Sequence, residues 1–113
     1  MQKIRELYFY DEDFIIFLDS QSAEIQDKFG KIFRYIEEIE RIPINYFKKI
    51  QNAKGLYEVR VSLGSNTWRV FCFFEANRLV VVLNGYVKKE NKTSAREIRK
   101  AIQLMKKYYE EKR

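Results

Sequence analysis

The spacing of apolar and polar positions changes character several times along the chain, and each change marks an element. Residues 3–10, KIRELYFY, read as a short first strand. Asp11 or Asp13 then offers a cap for a short helix through FIIFLDS, and Ser22 is a good N-cap for a second one, with Glu24 favourably placed in its first turn. Ile25, Phe29, Ile32, Ile36 and Ile39 recur at three- and four-residue spacing, the stripe of a helix buried on one side. Pro43 cannot continue that helix and biases Ile42 towards extended geometry, which predicts an end near Arg41. Residues 44–54, including Tyr46, Phe47, Lys48 and Lys49, read as a connection.

Three strands follow: YEVRVSL alternates cleanly, WRVFCFFE is dense in aromatics, and RLVVVLNGYVKK is rich in β-branched residues. Gly64-Ser65-Asn66 and Ala76-Asn77 mark the turns between them. Ser94-Ala95-Arg96-Glu97 has the spacing of a capping box, and Ile98, Ile102, Met105 and Tyr109 give the last helix its apolar stripe. The order βααβββα predicts an α+β fold, a mainly antiparallel twisted sheet with two N-terminal helices and one C-terminal helix. At 113 residues, with neither repeat nor linker, residues 1–113 are expected to form one domain.

Strand register turns this pattern into a surface, because a slip of one residue exchanges the two faces of a strand. A loop over residues 63–66 pairs Ser62 with Thr67, keeps Tyr57, Val59 and Val61 on the face of Trp68, Val70 and Cys72, and sets Arg60 across from Arg69. A three-residue loop would place Arg60 on the apolar face opposite Val70. In the next hairpin a two-residue loop, Ala76-Asn77, pairs Glu75 with Arg78 and Arg69 with Asn84. The face then continues through Tyr86 and Lys88, with Phe71, Phe73, Val80 and Val82 at its other end. Gly85 is a natural bulge site, and a bulge there would exchange the roles of Lys88 and Lys89. Opposed arginines destabilise a sheet unless a counter-charge arrives, from a residue such as Glu58 or from a ligand.

Charge sharpens the picture. The net charge is +6. Residues 84–113 hold ten basic and four acidic side chains, while the first 83 residues are balanced at twelve of each. Positive charge gathered at a strand end and the helix after it points to phosphate or an acidic protein partner. One cysteine, Cys72, excludes an internal disulfide and fits a reducing cytoplasm. The charged N-terminal residues predict no secretory signal, and no apolar run approaches membrane-spanning length. Asn91-Lys92-Thr93 reads as an accidental glycosylation sequon in such a compartment.

The absence of histidine removes imidazole acid–base chemistry and His-based triads, and one cysteine argues against a zinc site; neither a metal nor another cofactor is expected. Glycines at 30, 55, 64 and 85 are too scattered for a phosphate-binding loop, and Glu37, Glu38 and Glu40 read as the solvated side of a helix. Arg, Lys and Tyr remain. They suit metal-free RNA cleavage, in which a 2′-hydroxyl attacks the neighbouring phosphorus and guanidinium groups stabilise the phosphoryl oxygens. A lysine crowded by cations loses its proton more easily and can serve as base. Tyr86 can relay a proton or stack on a base. Such a site needs in-line geometry fixed from outside, since positioning is worth ~7–11 kcal/mol.

The segment GLYEVRVSLGSNTWRVFCFFEANRLVVVLNGYVKKENKTSAREIRKA resembles the C-terminal half of the RelE/ParE superfamily of bacterial toxins, most closely its phage-derived HigB-like branch. The likeness rests on Gly55-Leu56-Tyr57-Glu58-Val59-Arg60, Trp68-Arg69-Val70, Gly85-Tyr86-Val87-Lys88-Lys89, then Lys92-Thr93 and Glu97-Ile98, with Tyr46-Phe47-Lys48-Lys49 upstream. The resemblance implies a RelE-like fold, endoribonuclease activity on mRNA in the translating ribosome, and a cognate antitoxin, often with a DNA-binding helix-turn-helix. By position it implies that Arg60 and Arg69 contact the scissile phosphate and that Lys88 or Lys89 supplies the strand-end cation. Lys92 would hold ribosomal RNA, with Asn84, Lys48 and Lys49 as further RNA contacts. Some relatives carry a catalytic tyrosine or histidine near the C-terminus; here Tyr86 is the substitute, while Tyr108 and Tyr109 read as packing residues. Two other readings keep the fold: a ParE-like inhibitor of DNA gyrase, and an RNA-binding module without catalysis.

Overall fold

The computed structural model describes residues 3–76, 78–88 and 94–112. The elements are β1 (Glu6–Phe9), α1 (Glu12–Asp19), α2 (Ala23–Glu38), β2 (Phe47–Lys49), β3 (Leu56–Leu63), β4 (Asn66–Glu75), β5 (Leu79–Lys88) and α3 (Ala95–Glu111). The strands form one sheet in the order β1-β5-β4-β3-β2, with β1 parallel to β5 and the other pairs antiparallel. The fold is α+β, as the pattern of elements predicts, with one strand more.

That strand, β2, lies in the segment read as a connection. It pairs Phe47 with Val59, Lys48 with Glu58 and Lys49 with Tyr57. Only Phe47 of its three residues is buried, so its alternation is too short to register as a strand; pairing with β3 makes it one. The N-terminal caps are as expected: Asp11 accepts from the Asp13 N–H, and Ser22 from the Ile25 N–H. Helix α2 ends at Glu38, ahead of Arg41. Its last carbonyls are taken by the chain just before β1. The N–H groups of Ile4 and Arg5 donate to the Glu37 carbonyl, and the Arg5 guanidinium to those of Ile36, Ile39 and Glu40 at 2.6–2.9 Å.

Two apolar layers cover the sheet. Phe14, Ile25, Phe29, Ile32 and Ile36 of α1 and α2 pack on Val59, Val61, Trp68, Val70, Cys72, Val80 and Val82. On the opposite face Leu56, Phe71, Phe73, Val81 and Leu83 meet Ala101 and the apolar stripe of α3. Val80 and Val82 thus lie on the α1/α2 face, away from Phe71 and Phe73. The reason is register: Glu75 pairs with Leu79, so the β4–β5 loop spans residues 76–78, three residues and not two. A bulge then adds one more residue to β5, since Cys72 pairs with Val82 but Val70 with Gly85, leaving Leu83 and Asn84 opposite Phe71. The two one-residue shifts add. Arg69 falls opposite Tyr86 in place of Asn84, and since two shifts restore parity, Tyr86 and Lys88 keep the face expected of them.

Candidate functional site

On the α3 face, where β5 meets the start of α3, strands β3, β4 and β5 present polar side chains in rows. The β3–β4 register holds as expected, with Arg60 opposite Arg69 and Ser62 opposite Thr67. With Arg69 opposite Tyr86 and Thr67 opposite Lys88, one row reads Arg60–Arg69–Tyr86 and the next Ser62–Thr67–Lys88. A row spans two strand spacings, about 10 Å, and successive rows lie about 7 Å apart. That is a patch of nucleotide dimensions.

The opposed arginines are reconciled by Glu58, one row further in. Its carboxylate accepts from Arg60 Nε at 2.6 Å and from an Arg69 terminal nitrogen at 3.2 Å and 3.4 Å. Glu58 and Arg69 are 1% and 2% exposed, whereas the Arg60 side chain retains 32% of its surface. Of the two guanidiniums on this carboxylate, Arg60 is the one that reaches solvent. A buried, hydrogen-bonded pair of this kind fixes geometry more than it adds stability. Arg69 is therefore turned towards Glu58 beneath the surface, holding the carboxylate that aims Arg60.

Tyr86 is half-buried and stacks on Phe71 with ring centroids 6.0 Å apart. Its hydroxyl accepts the Ser94 N–H at 2.9 Å, at the N-cap of α3. Burial is the main cause of a phenol pKa raised above the ordinary value; the Ser94 N–H and the Arg69 charge pull the other way without cancelling it. The group stays protonated at neutral pH. Asn84 is 2% exposed and donates through Nδ2 to the Glu97 carbonyl at 3.1 Å and its carboxylate at 3.2 Å. It ties β5 to α3 and offers no open surface to RNA.

These contacts rearrange the expected capping box. Ser94 Oγ does accept the Glu97 N–H, but the reciprocal bond is replaced: the Ser94 N–H goes to Tyr86 and the Glu97 carboxylate to Asn84. The start of α3 is thus pinned to β5 by two side chains of the site. Lys48, across from Glu58, shares the site face, whereas Lys49 belongs to the opposite face with Tyr57. Lys89 and Lys92 lie outside the described residues.

A cleft of about 630 Å³ opens beside Arg60, whose backbone N–H donates to the Tyr46 carbonyl at 2.9 Å just ahead of β2. Lys28, Lys31 and Tyr35 of α2 form one wall, Asn45 and Tyr46 another, and Arg60, Ser62 and Thr67 the side towards the rows just described. The α2 residues have no place in the sequence-based site. Their signal was present, since positions 28, 31 and 35 share one flank of the helix beside the apolar stripe. Among the described residues no group of His, Cys, Asp and Glu is placed to hold a metal ion, and no helix is long and apolar enough to cross a membrane.

No curated protein matches the chain. Residues 16–106 match the family described as phage derived protein Gp49-like (DUF891), a span that includes β2 to β5, the arginine row and most of α3. The chain therefore belongs to this phage-derived, RelE-like family of toxin-like proteins.

Proposed function

We propose that this protein is the toxin of a toxin–antitoxin pair and cleaves mRNA on the translating ribosome without a metal ion. The reading rests on family membership together with one observation: Arg60, Arg69 and Tyr86 form a single row across three strands, with a buried carboxylate orienting the exposed arginine. The substrate's 2′-hydroxyl attacks the adjacent phosphorus, a 2′,3′-cyclic phosphate forms, and the bond to the 5′-oxygen breaks. Arg60, bonded to Glu58 through Nε, turns its terminal nitrogens to the phosphoryl oxygens as charge builds there. Arg69 is a positioning residue acting through Glu58. Tyr86, kept protonated by burial, gives its proton to the departing 5′-oxygen. The 2′ proton leaves to water, and Lys88, one row on and next to Lys89 in sequence, adds positive charge beside the phosphate. The ribosome supplies the in-line geometry that two arginines and a tyrosine cannot impose on a flexible strand.

The antitoxin is a partner of opposite charge, covering the basic face. Arg60→Ala is the discriminating variant, because Arg60 is the exposed member of the row. Induced expression of the wild type should arrest growth and leave new mRNA ends only in translated messages. Arg60→Ala should remain folded and lose about 10²-fold or more of the cleavage rate. Growth arrest by a folded Arg60→Ala protein would remove this assignment. DNA supercoiling by gyrase should be unaffected by the wild type; inhibition would favour the ParE-like reading.

A further inference from the structure

The cleft between α2 and the edge of β3 shares Arg60 and Arg69 with the arginine row, but the rest of its lining, from α2 and the segment ahead of β2, has no part in the cleavage step, and its chemistry is distinctive. Its charged lining is wholly cationic: Lys28, Lys31, Arg60 and the buried Arg69, with no carboxylate among the lining residues. Tyr35 and Tyr46 stand side by side, ring centroids 6.1 Å apart at 48°, and Lys31 Nζ lies 5.8 Å from the centre of the Tyr35 ring. The rings are too close and too inclined to sandwich a third ring, and both residues are half-buried, with Lys31 over Tyr35. The exposed Asn45 amide and the Ser62 and Thr67 hydroxyls add donors and acceptors suited to base edges or ribose. The volume suits one or two nucleotides.

We infer that this cleft is a single-stranded RNA subsite, in which Tyr35 stacks a nucleobase and Lys28 and Lys31 hold the phosphates flanking the one presented to Arg60. Cations interleaved with aromatic faces are the recurring solution for single strands, because every base has a π-face and every link a charge. An acidic peptide would use the lysines but leave the tyrosines and the amide without a purpose. Arg60 lines both the cleft and the row, so a strand seated in the cleft emerges onto the Arg60–Arg69–Tyr86 face. The inference deepens the nuclease reading by assigning the part of the substrate that sets position and base preference.

The test is fluorescence anisotropy of the whole chain with a short labelled single-stranded oligoribonucleotide, across a salt series. The wild type should bind. Lys28→Ala/Lys31→Ala should flatten the slope of log affinity against log salt by about 1.4, two phosphate contacts at ~0.7 each. Tyr35→Ala should weaken binding about fivefold or more and leave the slope unchanged. Tyr35 lies outside the buried core, and matching thermal unfolding will show that each variant is folded. Absence of binding by the wild type, or equal binding by folded variants, overturns the subsite. So does a result in which the variants bind RNA normally but fail to bind the antitoxin, since the cleft is then a protein interface. Binding that responds as expected in a chain that cleaves nothing keeps the subsite and removes the nuclease. Cleavage with unchanged binding does the reverse.

Discussion

Glu58 decides what each arginine can do. With its carboxylate buried between two guanidiniums, removing either neighbour has unequal consequences, because burial differs so much between them. Arg69→Ala leaves Glu58 deep in the sheet without its buried guanidinium partner; breaking a buried pair in this way costs about 3–5 kcal/mol. Arg60→Ala removes a partly solvated partner and should cost about 1 kcal/mol or less. Urea unfolding should separate the two variants widely, and equal midpoints would mean that Arg69 is not held as described. Loss of toxicity in Arg69→Ala is accordingly a weak test of catalysis, as lost folding explains it equally well. Cys72 makes a simpler case. It is fully buried, and burial pushes its thiol pKa upward. A thiol-specific reagent at neutral pH should leave the folded protein unlabelled and modify the cysteine only once denaturant has opened the core.

Among the elements, β5 carries the most consequential irregularity. Gly85 closes the bulge, and a Cβ there would come within 3.1 Å of Phe17 and Val70 side-chain atoms and 3.2 Å of Phe14. Helix α1 is pressed against the strand at the point where the row-forming part of β5 begins. Gly85→Ala should therefore destabilise by about 1–3 kcal/mol through overpacking, read as a lower denaturant midpoint with an unchanged slope. A midpoint equal to wild type would show that α1 can withdraw at no cost. The sequence made much of this legible wherever the cause is local. Asp11, Ser22 and Ser94 cap helices because their neighbours along the chain supply the donors, and the alternation of β3 and β4 alone dictates that Arg60 face Arg69. It left obscure whatever a distant residue decides. Strand β2 exists through its pairing with β3, and α2 stops where Arg5, more than thirty residues earlier, takes its carbonyls. Asn84 looked like an RNA contact because nothing nearby in sequence reveals that Glu97 will claim its amide. Lys28, Lys31 and Tyr35 were hidden by the stronger apolar stripe beside them.

Across the whole molecule, phenols fasten α3 to the sheet at both ends. Tyr86 receives the Ser94 N–H at the start of the helix; near its end the Tyr10 hydroxyl donates to Glu111 and that of Tyr108 to Glu75, which also pairs with Lys112. Each phenol has its pKa raised, with burial the largest cause, and Tyr10, with the Glu111 carboxylate adding to that, is pushed up to about 12. In the unfolded chain the same groups titrate near 10. Below that pH both states hold all three protons, and the contribution to stability is full and constant. Between about pH 10 and 12 the unfolded chain has released protons that the folded one retains, so unfolding becomes progressively easier as pH rises. The denaturant midpoint should stay level to about pH 9 and then fall. Amide exchange in α3, corrected for its intrinsic pH dependence, should accelerate before that of β3 and β4, since the helix is released first. The comparison that isolates the phenol is Tyr10→Phe, which should lower the midpoint at pH 8 yet soften its fall above pH 10. A Tyr10→Phe protein with the full wild-type decline would show that the alkaline limit lies elsewhere, and that the hydroxyl of Tyr10 does not secure the end of α3.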